Sequence, residues 1–339
     1  MNAVRQIDLF PIEPVTQGDA LDLPDVPLIV CYGGGVDSTA MLCRMVREGI
    51  RPDAITTADT GGEKPETYAY IEMFSAWLVS QGFPAVQLVK YQTSRAPYSD
   101  LEGNNTSNET LPSLAFGMKS CSIKWKAQPQ DYAIKGCKGG PNKCDPHPLW
   151  LESQRRGVKP CKLIGYDAGP ADLRRSKRLK DSDADFQYRY PLQQWGMDRG
   201  DCIAEIVRAG LPVPLKSACW FCPASQKWEL YWLAGSHPDL FERALQMEHK
   251  AMLGKHSRWP WADCDYGPKW EKLIHEPADQ WPQVDITVGL GRSFAWNHWA
   301  RVNGVCDAEG RVIMDRDECL ARADKLKAQG GNAADLRTC

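Results

Sequence analysis

The feature that most constrains this chain is a short apolar run that ends on three glycines. Pro27–Tyr32 (PLIVCY) is continuously apolar, as expected of a strand buried on both faces, and Gly33-Gly34-Gly35 follows at once. Ser38–Glu48 then carries apolar residues at helical spacing and stops at Gly49. The alternation repeats. Asp53–Ala58 reads as a second strand, Pro65–Gln81 as a helix opened by proline and closed by Gly82, and Val86–Tyr91 as a third strand. Strand, helix, strand, helix, strand predicts a parallel sheet. The expected fold is therefore α/β, a doubly wound parallel sheet that binds its ligand at the carboxyl edge.

Around this core the chain divides unevenly. Residues 1–25, interrupted by Pro11, Pro14 and Pro24, are expected to form an extended arm. Residues 92–160 are rich in Asn, Gly, Lys, Pro and Cys and read as an insertion above the carboxyl edge, with short helices around Leu111–Met118 and Pro129–Ile134. Strand signals return at Cys161–Tyr166 and Phe186–Tyr190, and Asp198–Ala209 reads as a helix. Cys222–Leu253 is expected to be largely helical. Val302–Met314 resembles a hairpin turning near Asp307–Gly310, and Asp315–Gln329 reads as a last helix. The main domain is expected over 26–235, followed by a mostly helical α+β appendage over 236–339.

With 339 residues the chain can bury a full core, so its 13 cysteines are not needed as staples, and their odd number rules out complete pairing. The first 25 residues hold no secretory h-region, and no apolar run reaches the ~18–20 residues of a membrane span. Reduced thiols, a cytoplasmic location and no membrane partner are the expectation. Lys+Arg 41 against Asp+Glu 43 gives a net charge of −2, which argues against non-specific coating of nucleic acid but allows local basic patches.

The loop Gly33-Gly34-Gly35-Val36-Asp37-Ser38 sits between strand and helix. Glycines there let backbone N–H groups point inward, and the helix N-terminus adds partial positive charge, so the loop can cradle phosphate. A plain strand-to-helix turn with Asp37 as N-cap is the other reading. Walker A is excluded, because no Gly-Lys-Ser/Thr follows. The loop resembles the SGGxDS loop of the PP-loop ATP pyrophosphatases (the adenine nucleotide alpha-hydrolase superfamily), with Gly33 standing where that family has serine. The stretch Asp59-Thr60-Gly61-Gly62-Glu63-Lys64-Pro65-Glu66-Thr67 resembles the DTGxxxPET segment of the phosphoadenosine-phosphosulfate (PAPS) reductase branch. Leu163–Pro170, with Gly165 and the following Arg174 and Arg175, resembles a later loop of that branch, as does Tyr190 to Arg199. The resemblance covers about residues 27–235.

It implies a nucleotide site. Gly33, Gly34, Gly35, Val36, Asp37, Ser38, Asp59, Thr60, Gly61, Glu66, Thr67 and Gly165 would bind the nucleotide, with Asp37 and Asp59 handling Mg²⁺. Asp37, Lys124, Arg174 and Arg175 would act on the developing charge.

Cys219-Trp220-Phe221-Cys222 is a C-x-x-C motif whose thiols could share a metal, a cluster or a redox bond. Cys121, between Lys119 and Lys124, resembles a cysteine of reductases for adenosine phosphosulfate (APS) and of DNA-phosphorothioation enzymes. That likeness implies a [4Fe–4S] cluster, zinc being the alternative, on Cys121, Cys219 and Cys222; the reductases carry an adjacent Cys-Cys pair where this chain has Cys121-Ser122, so the fourth ligand is expected from elsewhere, Cys202 first and Cys161 as runner-up. Cys137-x6-Cys144-x-x-His147 could bind zinc together with Cys121 or Cys161. The Trp set from Trp228 to Trp299 could stack bases or pack the core.

The function implied is ATP binding with cleavage between the α and β phosphates. That would adenylate an acceptor, a nucleic acid or a small molecule, which then receives sulfur from a donor protein. One alternative is an adenylyl sulfate reductase that releases sulfite. Another is a silent nucleotide-sensing or nucleic-acid-binding subunit.

Overall fold

A computed structural model describes residues 21–93, 97–253 and 289–330. The arm expected over 1–25 falls almost wholly outside these residues, as do Trp259, Trp261, Trp270, Trp281, Cys264 and Cys339. The first half alternates as predicted: β1 (Leu28–Cys31), α1 (Val36–Glu48), β2 (Ala54–Asp59), α2 (Pro65–Ser80) and β3 (Val86–Lys90). Then come α3 (Leu101–Ser107), a 3₁₀ turn at Ser113–Phe116, α4 (Ser120–Ser122), a π-helical turn (Ile123–Ala127), α5 (Gln128–Lys135) and α6 (Pro148–Arg156). The sheet resumes with β4 (Cys161–Ile164), α7 (Pro170–Ser176), β5 (Gln187–Arg189), α8 (Pro191–Gln194) and α9 (Arg199–Arg208). The described chain ends with α10 (Lys227–Ser236), α11 (Pro238–Leu253), α12 (Trp296–Val302) and α13 (Arg316–Gly330). None of its helices is long and apolar enough to cross a membrane.

The five strands form one parallel sheet in the order β3-β2-β1-β4-β5. β1 is central, and the strand order reverses between β1 and β4, where ligands of open α/β sheets sit. Successive side chains leave opposite faces of a strand. Val30 and Ile55 accordingly pack with Met41, Phe74 and Ile206 of α1, α2 and α9, while Ile29 and Ala54 pack with Ile134 and Leu149 of α5 and α6. Residues 128–156 thus cover the second face of the sheet. The sequence placed this region only above the carboxyl edge; its short amphipathic helices were too weakly patterned to show which surface they cover.

A third cluster joins Leu111 and Trp125 to Trp220, Phe221, Phe241 and Trp296. α10 runs across the boundary expected at 235 and packs against α11 and α13 beyond it. Trp296 and Trp299 are buried in this cluster and serve as packing anchors. The helix expected from Cys222 starts at Lys227, because Gln226 and Glu229 form a capping box there. The expected hairpin reduces to one bridge, Cys306 with Val312, closed by Gly310 at φ 83°.

Candidate functional site

The glycine loop lies at the carboxyl end of β1, beside the strand-order reversal. Gly34 has φ 70°, and a Cβ there would come within 3.2 Å of Thr67 Cγ2 and Ile71 Cδ1, so any side chain at this position is strained. Gly35, not Asp37, is the N-cap of α1. Thr39 N–H bonds back to Gly35 O at 3.1 Å, and the N–H groups before it in the first turn have no partner within the helix. Gly33 N–H donates to Ser38 Oγ (3.2 Å), which donates to Gly35 O (3.3 Å). Buried Val36 anchors the turn. Ser217 Oγ donates to Gly33 O at 2.5 Å and ties in the segment that precedes the C-x-x-C. Gly165 ends β4 directly against Ser38.

Beside this loop three carboxylates converge. Asp37, Asp167 and Asp172 bring ligand oxygens within 4.8 Å of one another, the one such group among the described residues. Arg199 Nη1 donates to Asp37 Oδ1 (2.6 Å) and Arg175 Nη1 to Asp172 Oδ1 (2.8 Å). Burial raises the Asp37 pKa, Arg199 partly offsets this, and Asp167 and Asp172 push it up again. Asp172 is raised in the same way, by burial against the pull of Arg175 and with Asp167 adding to it. Three hard oxygen donors that disfavour one another's charge suit a divalent cation such as Mg²⁺. No protein-family model matches the chain, and no curated protein matches it significantly.

Sequence reading paired Asp37 with Asp59. Asp59 instead holds its own turn, its Oδ1 accepting from Gly61 N–H (2.7 Å) and Tyr68 OH (2.6 Å). Asp167 and Asp172 were missed, although both lie in or beside the stretch quoted for its glycine and arginines. Arg175 is engaged with Asp172, while Arg174 is exposed on α7.

A cleft of about 100 Å³ opens between the ends of β1 and β2, lined by Tyr32, Ala58, Asp59, Glu63, Thr67 and Lys126 among others. Glu63 and Thr67 are more than nine-tenths buried, and neither Glu63 Oε2 nor Thr67 Oγ1 has a hydrogen-bond partner. Lys126 Nζ donates to Glu63 Oε1 at 3.0 Å. Burial pulls the Lys126 pKa down, but Glu63 together with Cys219 and Cys222 outweighs this and the net direction is up. Lys124, the lysine chosen from sequence, does not line this cleft. It lies 5.2 Å from the Tyr91 ring centroid and lines a second cleft of about 180 Å³ with Cys121, Asn105 and Ser113. Both lysines lie in the π-helical turn on either side of buried Trp125, two residues apart, and so line different clefts. Glu66 also turns away from the loop, its Oε1 2.7 Å from His237 Nε2.

Of the four cysteines expected to share a cluster, Cys202 stands apart from Cys121, Cys219 and Cys222. Cys202 belongs to the core under α9, with Met41 and Ile206. Cys219 belongs to the cluster of α10–α13, against which Cys121 and Cys222 pack. Among the described residues no three cysteines approach within 4.8 Å. Cys202 opens a helix whose buried face points at α1, which spacing alone did not reveal. Burial pushes the Cys219 thiol up and Glu63 adds to this, while its Sγ lies 3.2 Å from Thr60 Oγ1.

Proposed function

We propose that the chain is a PP-loop enzyme of the PAPS-reductase-like type, with an adenine nucleotide alpha-hydrolase-like fold. It binds ATP and breaks the bond between the α and β phosphates. An acceptor oxygen attacks the α phosphorus, AMP is transferred to the acceptor, and pyrophosphate leaves. A sulfur nucleophile carried by a separate donor protein then attacks the activated centre of the acceptor, a nucleic acid or a small molecule, and AMP leaves with the acceptor oxygen. The observation that carries this reading is the glycine loop at the strand-order reversal, open at the first turn of α1 and flanked by Asp37, Asp167 and Asp172.

The loop's N–H groups and the α1 N-terminus would hold the departing pyrophosphate, and Gly34 lets the backbone approach it. Mg²⁺ on the three aspartates would neutralise phosphate charge. Arg199 and Arg175 orient two of those carboxylates, and exposed Arg174 offers a further positive charge nearby. The cleft ending in Ala58 and Asp59 has apolar walls and unpaired Glu63 and Thr67 oxygens, which suit a base or ribose.

The deciding experiment measures pyrophosphate and sulfite separately. Pyrophosphate release from Mg–ATP that is lost in Asp37→Ala supports the reading. Sulfite release from an adenylyl sulfate with an electron donor, and none of pyrophosphate, would replace it with a reductase. Tight ATP binding without turnover would make the chain a nucleotide sensor.

A further inference from the structure

Cys137 and Cys144 lie opposite each other in a small hairpin between α5 and α6, far in function from the nucleotide loop. They exchange both backbone hydrogen bonds: Cys137 N–H to Cys144 O at 2.9 Å and Cys144 N–H to Cys137 O at 3.1 Å. Below them His147 N–H bonds to Ile134 O (2.9 Å); above them Lys143 N–H bonds to Gly140 O (3.2 Å), with Gly140 at φ 71°. The two arms are pressed together, since a Cβ on Gly136 would come within 2.9 Å of Pro146 N. Directly opposed residues of an antiparallel pair project to the same face, with Cα atoms roughly 5.5 Å apart. That spacing is within the range a disulfide spans.

Both cysteines are free, Cys144 exposed and Cys137 half-buried. Each thiol donates to a nearby carbonyl, Cys137 Sγ to Gly139 O (3.3 Å) and Cys144 Sγ to Tyr132 O (3.2 Å). Closing the bond requires both side chains to rotate and give up these two hydrogen bonds. Metal binding is the weaker use of the pair. His147 Nδ1 already accepts from Leu149 N–H (3.2 Å), and among the described residues no third ligand joins the two thiols.

We infer that Cys137 and Cys144 are a modification site, a dithiol that closes reversibly to a disulfide by exchange with a glutathione-type small disulfide. The exposed Cys144 thiolate attacks one sulfur of the oxidant and releases one small thiol. The Cys137 thiolate then attacks the Cys144 sulfur and releases the second. Two protein thiols are oxidised, one small disulfide is reduced to two thiols, and the protons from the protein thiols end on the released thiols or in solvent. Exposed Lys138 and Lys143 flank the pair and attract an anionic oxidant. Between the cysteines, Asn142 clasps the backbone just past β3, accepting from Gln92 N–H (2.8 Å) and donating to Gln92 O (2.8 Å). Closing the disulfide holds that clasp in place. The inference does not depend on the nucleotide reading.

The test incubates the full chain in mixtures of reduced and oxidised glutathione, alkylates the remaining thiols, and maps the peptides. A Cys137–Cys144 link, reversed by dithiothreitol and formed while Cys121 and Cys222 stay alkylatable, is expected. Hydrogen exchange at the Gln92 amide should slow several-fold in the oxidised form. Cys137→Ser should keep its far-ultraviolet circular dichroism and stop at a glutathione adduct on Cys144. An adduct on Cys144 in the unsubstituted chain that never resolves, or Cys137 paired with a different cysteine, would overturn the assignment. So would stoichiometric zinc that is lost in Cys137→Ser.

Discussion

Gly165 lies so close to Ser38 that a Cβ on it would come within 2.7 Å of Ser38 Cα and 2.8 Å of its backbone nitrogen. The carboxyl end of β4 and the first turn of α1 are in backbone contact. No rotamer change can relieve a side chain placed between them. This contact sets the aspartates that follow β4 against the aspartate that opens α1.

Gly165→Ala should therefore cost about 1–3 kcal/mol, the range for overpacking a tight contact. It should also weaken nucleotide-loop binding, because either Ser38 or β4 must shift. Urea unfolding gives the first effect and ATP titration the second. An unchanged midpoint together with unchanged ATP affinity would show that the contact is slack.

The raised carboxyl groups of Asp37 and Asp172 predict a pH dependence with a definite sign. A carboxyl whose folded pKa is raised binds more protons folded than unfolded, between its unfolded and folded pKa values. Stability contributed by these groups therefore falls as pH rises through that window and is most reduced at neutral pH. Asp172→Asn should raise the melting temperature at pH 7 relative to the parent chain, and the difference should shrink on acidification. Added Mg²⁺ should stabilise the parent chain, with an affinity that rises with pH, and should have little effect on Asp37→Asn. A thermal-shift series across pH and Mg²⁺ checks all three.

Glu229 is a buried carboxylate shared by two lysines, Lys216 at 2.6 Å and Lys64 at 3.5 Å, and it also accepts from Gln226 N–H at 2.9 Å. Lys64, itself buried, closes the turn that follows β2. Glu229→Ala would leave buried Lys64 without its carboxylate, held only by Lys216 O and the Trp232 ring, at a cost of about 3–5 kcal/mol. Replacing Lys64 and Glu229 together by Met and Leu should recover much of the loss. A double-mutant cycle by chemical denaturation measures the coupling, and additive losses would argue against it.

Cys202 is wholly buried against α1. Cys202→Ser puts a hydroxyl in that core and should cost about 1–3 kcal/mol. Cys202→Ala should cost less. Neither should change iron or zinc content after anaerobic purification. A stoichiometric metal that disappears with Cys202→Ala would contradict the placement of Cys202 in the core.

The strands were legible because β1 is a continuous apolar run and β2, β3 and β4 carry short β-branched and apolar stretches between helix signals; β2, β3 and β4 begin within a residue of where those stretches predict. The glycine loop was legible because positive φ at Gly34 and close approach of Thr67 and Ile71 strain any side chain there. Helices α3, α6 and α7 were not expected. They are short, and α6 and α7 are opened by proline, so their periodicity is weak.

The sequence by itself determined the parallel sheet, the glycine loop after β1 and the turn after β2, since each depends on neighbours a few residues apart. Tertiary structure decided which distant groups meet. Asp37 finds Asp167 and Asp172 because β4 inserts beside β1. Lys126 reaches Glu63 while Lys124 does not, because residues two apart on a helical turn leave opposite sides of it. Cys202 and Cys219 separate because they end in different apolar clusters. Chain spacing constrains local geometry strongly, but a contact across more than a hundred residues depends on how whole faces pack.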